Sequence, residues 1–174
     1  MAGKRSEYSL GLLFGISSYV IWGLLPLYWP LLQPANALEI VAHRALWTLV
    51  FCLIVLALTK QIYSTSKVVK NPKTMAVLLL STILVSVNWI TYIWAVNHGH
   101  VVEAALGYYI SPLVIIAFGI IILREKMRPL QWVSVAIAAF GVLVLTIDYG
   151  RLPWIALALA LSWGSYGLVK KKLN

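Results

Sequence analysis

Two groups of side chains in this sequence have the types and spacing that chemistry needs. Glu39, His43 and Arg44 stand close together, with Glu39 and His43 four residues apart and so on one face of a helix. Further on, His98-Gly99-His100 is followed by Glu103. A carboxylate, an imidazole and a guanidinium could relay a proton or hold an anion. The second group has metal-ligand types but sits in a tight turn without a cysteine or a further carboxylate at fixed spacing, so no metal centre is expected. The HExxH, GxSxG and phosphate-loop patterns do not occur, and Gly164-Ser165-Tyr166-Gly167 is not a nucleophile elbow. No catalytic residues, no cofactor and no enzymatic activity are expected. The single cysteine, Cys52, offers neither a disulfide nor a metal set.

The elements that must position these groups are long and apolar. The chain is 61% hydrophobic and 11% charged, whereas charged residues make up about a quarter of an ordinary soluble domain. Apolar stretches run over 8–32, 38–59, 74–97, 102–123, 129–147 and 152–169. Each is long enough to cross roughly 30 Å of hydrocarbon as a helix. The fold class expected is an all-α integral membrane protein with six transmembrane helices in a lipid bilayer. Lys4 and Arg5 before the first stretch resemble a signal peptide, and Ala35-Asn36-Ala37 resembles a cleavage site. An apolar run of about 25 residues is too long for a signal core of 7–15, so an uncleaved first helix is expected.

Charge then orients the bundle. Of 14 Lys and Arg residues, 12 fall in alternate segments: Lys4 and Arg5; Lys60, Lys67, Lys70 and Lys73; Arg124, Lys126 and Arg128; and Lys170, Lys171 and Lys172. The other connections, 33–37, 98–101 and 148–151, carry only Arg151. Positive charge stays on the cytoplasmic side during insertion, which places both termini in the cytoplasm. The net charge of +9 is explained by these juxtamembrane cations and anionic headgroups, so no nucleic acid partner is expected.

Within the spans, polar residues mark candidate sites. Arg44 lies about 10 Å along the second helix by the rise per residue. A charge at that depth needs a partner or a wet cavity. Two readings stay open: a substrate-facing or gating cation paired with Glu39 or Glu103, or a snorkelling arginine that ties its helix to the interface. Glu39 and Glu103 both suit the first turn of a helix, where a carboxylate meets free N–H groups, and they are read as caps first. Asn36 followed by Glu39 predicts an N-cap. Gly11, Gly15, Ser18, Trp22 and Trp29 share a face, as do Ser81, Asn88 and Tyr92, and Ser134, Ala138 and Gly141. The third stripe predicts helix packing; the first two suit either packing or the edge of a cavity. Pro112 interrupts the fourth helix and releases the carbonyl of Tyr108.

The runs NWITYIWAVNHGHVVEAALGYYISPL (88–113), LREKMRPLQW (123–132) and LPWIALALALSWGSYGLVKKK (152–172) resemble the RarD branch of the EamA-type drug/metabolite transporters. WGLLPLYW (22–29) and EIVAHRALW (39–47) fit the same family. The resemblance implies an inner-membrane permease of small organic molecules, built as two five-helix repeats of opposite orientation around a central cavity, with a drug-related name (chloramphenicol sensitivity). Carried over by position, it marks Trp22, Pro26, Glu39, His43, Arg44, Trp47, Asn88, Trp89, Trp94, Asn97, His98, Gly107, Tyr108, Pro112, Glu125 and Trp132. Where the family pattern reads SLGYFINPL, this chain has Ala105, Tyr109 and Ser111 in place of a hydroxyl, a phenyl and an amide. Ser111 is thereby a candidate for selectivity beside Arg44, Glu39, His43, Trp22, Asn88, Tyr92, Tyr108 and Glu103.

Residues 1–148 are then expected to form one EamA-type repeat, and 149–174 the sixth helix, opening a second repeat. Ser162, Tyr166, Gly167 and Leu168 echo Ser18, Trp22, Gly23 and Leu24 at an offset of 144. On this reading the chain is truncated after its sixth span and by itself lacks a complete transport cavity. Two identical copies would insert the same way round and supply no inverted partner. The alternatives are a half-transporter, or a non-transporting membrane subunit, that works with a separate partner chain or as a dimer.

Overall fold

Lipid offers no hydrogen-bond partner to the backbone, so apolar runs of this length close their N–H and C=O groups internally as helices. The computed structural model describes residues 2–150 and 152–171, without the side chains at 2–8, 64, 66 and 67. Arg151 and Lys172 of the charge pattern, and the side chains of Lys4, Arg5 and Lys67, therefore lie outside the described residues. Seven α-helices follow in order: α1 Ala2–Tyr28, α2 Ala37–Leu58, α3 Ile62–Val69, α4 Pro72–Asn97, α5 Val101–Ile121, α6 Pro129–Asp148 and α7 Trp154–Lys171, with a 3-10 turn at Trp29–Leu32 after α1. The described residues contain no strand. Five helices are long and apolar enough to cross a membrane: Ser9–Leu32 with its 3-10 turn, α2, α4, α5 and α6.

Boundary residues account for the helix ends. Asn36 caps α2, its Oδ1 accepting from the Glu39 N–H at 2.9 Å. Asn71 caps α4 by accepting from the N–H groups of Lys73 and Thr74, and Pro72 takes the first helical position, where a missing N–H does no harm. Pro129 opens α6 in the same way, with the Arg128 N–H donating to Gln131 Oε1 at 2.8 Å. Gly150 ends α6 with a left-handed φ of +70°, a conformation glycine adopts without strain.

The chain forms two compact units, Met1–Pro34 and Ala35–Asn174. The first holds α1 and the 3-10 turn; its small stripe at Gly11, Gly15 and Ser18 is exposed. In the second, α7 packs most extensively on α5 and then on α4, while α2 leans on α4 and α6 on α5. Leu106 and Ile110 of α5 meet Ala156 and Ala160 of α7, with Val114 and Val142 against them. A Cβ at Gly107 would stand 2.9 Å from Leu159 Cβ and 3.0 Å from the Ala156 carbonyl oxygen, so the two backbones approach as closely as glycine allows.

Three details differ from the sequence expectation. The connection between the second and third spans contains α3, eight residues whose apolar and hydroxyl positions suit a water–lipid boundary. Next, Ser134, Ala138 and Gly141 are exposed; the partly buried residues of α6 are Val135, Val142 and Thr146, on a different face. Finally, α7 is not among the five most apolar helices. It buries Ile155, Ala156, Leu159, Ala160, Ser162 and Gly164 against protein, and a helix seated on protein tolerates serine and glycine that a lipid-facing helix would not.

Candidate functional site

A ladder of side chains crosses the second unit from α2 to α5. Its first rung is Arg44, whose guanidinium carbon lies 3.7 Å from the centroid of the Trp89 ring on α4. A cation on an indole face is held by the ring quadrupole, worth roughly 0.5 kcal/mol in water and about 2 when desolvated. Trp89 meets Tyr92 edge-on, with centroids 6.1 Å apart and planes at 89°. Tyr92 in turn meets Tyr108 of α5 at 5.6 Å and 77°. Edge-to-face geometry of this kind is favoured by the ring charge distribution. The helices place these rungs simply: Trp89 and Tyr92 are three apart on α4 and share a face, and Arg44 comes from the helix alongside.

Other candidates have joining roles. Asn88 is only 1% exposed, and its amide donates to the Leu159 carbonyl at 3.0 Å and to Ser162 Oγ at 2.9 Å, binding α4 to α7. Ser81, Asn88 and Tyr92, the stripe read from sequence, are all buried. Ser111 is buried and donates to the Gly107 carbonyl at 2.8 Å. It lies next to Pro112, through which α5 continues unbroken to Ile121.

Glu103 is 2% exposed at the third residue of α5. Its Oε2 accepts from the Tyr149 hydroxyl at 2.7 Å and its Oε1 from the Ile155 N–H at 3.0 Å. It therefore caps the start of α7 from a neighbouring helix, and it gathers the ends of three helices. At the opposite end of α7, Lys171 donates to Glu125 in the connection after α5. Glu39 and His43 are exposed near the start of α2, and the Glu39 N–H is used by the Asn36 cap. Trp22 is exposed on α1 in the other unit.

The histidine turn is an aromatic stack. Trp94 stacks on His98 with centroids 4.6 Å apart and on His100 at 5.8 Å, and lies 5.7 Å from Trp154. His98 Nδ1 is 2.8 Å from the Trp94 carbonyl oxygen. Among the described residues, no three His, Cys, Asp or Glu side chains come together so as to hold a metal ion.

Sequence reasoning marked Trp89 only through the family resemblance, not among the binding or gating candidates, and did not mark Tyr149 at all. Trp89 had a usable signal, since it neighbours Asn88 and lies one helical turn from Tyr92. Tyr149 had none, because its link to Glu103 spans 46 residues.

Residues 9–147 match the model of the EamA-like transporter family. A RarD protein of Streptomyces exfoliatus is 48% identical over 170 residues, covering 98% of this chain and 54% of that protein. An uncharacterized transporter of Pseudomonas aeruginosa is 46% identical over 162 residues, 93% of this chain and 54% of its own length. A RarD protein of Escherichia coli is 41% identical over 163 residues, 94% of this chain and 55% of its own. The chain thus spans about half the length of the curated relatives it matches. No solved structure matches it significantly. An all-α, multi-pass bacterial membrane protein, the chain belongs to the EamA-like transporter family, on its RarD branch.

Proposed function

We propose that this chain supplies one side of the pathway of a plasma-membrane permease for small organic molecules, with both termini in the cytoplasm. Residues 1–148 act as one five-helix repeat and 149–174 as the opening helix of a second. The observation that carries the reading is the ladder Arg44–Trp89–Tyr92–Tyr108. It sets a fixed cation and polar aromatic rings across three packed helices, a combination suited to organic solutes and poorly suited to lipid contact.

A second reading is a half-transporter that works with a separate chain; the chain spans about half the length of the relatives it matches. One experiment addresses both. Membrane vesicles carrying this chain alone, or this chain joined to the second half of a RarD relative, are loaded with a bacterial metabolite extract, and the retained solutes are read by mass spectrometry. The joined protein accumulates or exports particular solutes, and Arg44→Ala abolishes this while membrane insertion stays normal. Unchanged uptake in the variant would reduce Arg44 to an anchor. Transport by the chain alone would count against the half-transporter form, which needs a separate partner, and no solute from either protein would sink the carrier reading.

A further inference from the structure

The ladder narrows the class of solute. Arg44 is seven residues into α2, about 10 Å along its axis, with Ala45, Leu46 and Leu49 as neighbours in sequence. A guanidinium among such residues is unfavourable, so its presence calls for a task that a lysine at the helix end or an apolar residue would not perform. Its position over Trp89 points to that task. The indole face holds the cationic end of the side chain at this point of the groove. The N–H donors lie in the guanidinium plane, around its edge, and that edge matches the two oxygens of a carboxylate in a bidentate pair.

The surroundings complete a site. Arg44 and Trp89 line a groove of about 220 Å³ between α2 and α4, whose other walls include Val41, Val85, Thr48 and Ser86. It combines one cation, two hydroxyl-bearing residues and apolar or aromatic walls, which suits a small acid with a flat or short apolar body. We infer that Arg44 on its Trp89 platform binds the carboxylate of a small organic anion, and that the solutes of this pathway are organic acids. The second clause rests on the carrier reading proposed above; the binding itself does not.

A lipid phosphate offers similar oxygens, so the test separates the two sources. The full chain is purified in neutral detergent and in nanodiscs of phosphatidylcholine, with or without phosphatidylglycerol. Benzoate is titrated against benzamide, its neutral isostere, at matched ionic strength, with melting temperature and tryptophan fluorescence as readouts. Benzoate raises the melting temperature saturably and benzamide does not. R44Q weakens benzoate binding by about tenfold or more, the scale of losing hydrogen bonds between charged partners. R44K, which keeps the charge but not the fork, falls between, and K70Q, at an exposed lysine away from the groove, matches the parent.

Equal responses to benzoate and benzamide, or an undiminished response in R44Q, would overturn the proposal. Should R44Q fail to fold, W89L carries the test: it removes the platform, and binding as tight as in the parent would overturn the proposal equally. If phosphatidylglycerol stabilises the chain through Arg44 while benzoate does nothing in any medium, the anion is a headgroup and the organic-acid site is refuted. Benzoate binding without transport by the joined protein would sink the carrier reading and leave the site standing. Transport without benzoate binding would do the reverse.

Discussion

Glu103 shows how much of a bundle's end one carboxylate can organise. It is buried, and its two oxygens serve donors on two different elements, the Tyr149 hydroxyl after α6 and the Ile155 N–H at the start of α7. A helix start leaves N–H groups without intrahelical partners, and burial there would be unfavourable without an acceptor. The carboxylate supplies it from a neighbouring helix, 52 residues away in sequence. Glu103→Ala should therefore destabilise the second unit by about 1.5–3 kcal/mol, the range for a buried hydrogen bond to a charged group. Glu103→Gln should be milder, because its carbonyl can still accept from Ile155 and its amide can donate to the Tyr149 oxygen. Thermal unfolding of the purified variants in one detergent checks the order; equal melting temperatures for Ala and Gln would show that the carboxylate does not act through these bonds. Asn88 is the corresponding link at mid-helix, an amide tying α4 to two groups on α7. Interhelical polar contacts of this sort within membranes contribute about 0.6 kcal/mol on average.

Among the elements, α7 holds the second unit together, since it fills the groove between α4 and α5. That seat depends on Gly107: even one methyl there would press on Leu159 and on the Ala156 backbone. Gly107→Ala should lower stability by about 1–3 kcal/mol through overpacking. Gly141→Ala on α6, where a Cβ meets nothing within 4 Å, should leave stability unchanged or slightly raised. Melting curves compare the pair, and a loss at Gly141 as large as that at Gly107 would show that contact with Leu159 and Ala156 is not the cause, since helix propensity favours alanine at both positions. The sequence revealed the long helices because hydrocarbon demands runs that only a spanning segment needs, and because Asn71-Pro72 and Arg128-Pro129 mark their starts. It did not reveal α3, because eight residues bounded by lysines look the same as a loop when the amphipathic period has barely two turns to repeat. Nor did it reveal partner choice. A small or polar face says that something comes near, which is why Ser81, Asn88 and Tyr92 were found together, but not that α7 is the neighbour. The stripe on α6 is the converse case: small residues that no other helix among the described residues covers. In the site, Arg44 stood out as a charge within an apolar run, whereas its seat on Trp89 depends on the angle at which two helices cross.

For the whole molecule, the pattern of charge is what supports the proposed topology. Exposed Lys60, Lys70, Lys73, Arg124, Lys126, Arg128, Lys170 and Lys171 all fall in alternate segments of the chain. Any folded arrangement with an odd or shifted number of crossings would scatter them over both sides, against the bias that retains cations in the cytoplasm. The ion pair between Lys171 and Glu125 fits the same arithmetic, since it joins two segments that the six-crossing topology puts on one side. The opposite ends of the helices hold the Trp94 stack with His98 and His100 and the Glu103 links, groups that would meet the outer face. The proposed topology then makes a definite forecast. In a Cys52→Ser background, Lys70→Cys should react with a membrane-impermeant maleimide only after cells are opened, while Asp148→Cys should react in intact cells. Both positions are exposed, so a lack of labelling would not come from burial in the bundle. Labelling of the two from the same side would require a different number of crossings between them. It would also place Arg44 and its groove in the opposite half of the membrane, or break the α4–α5–α7 assembly on which the site depends.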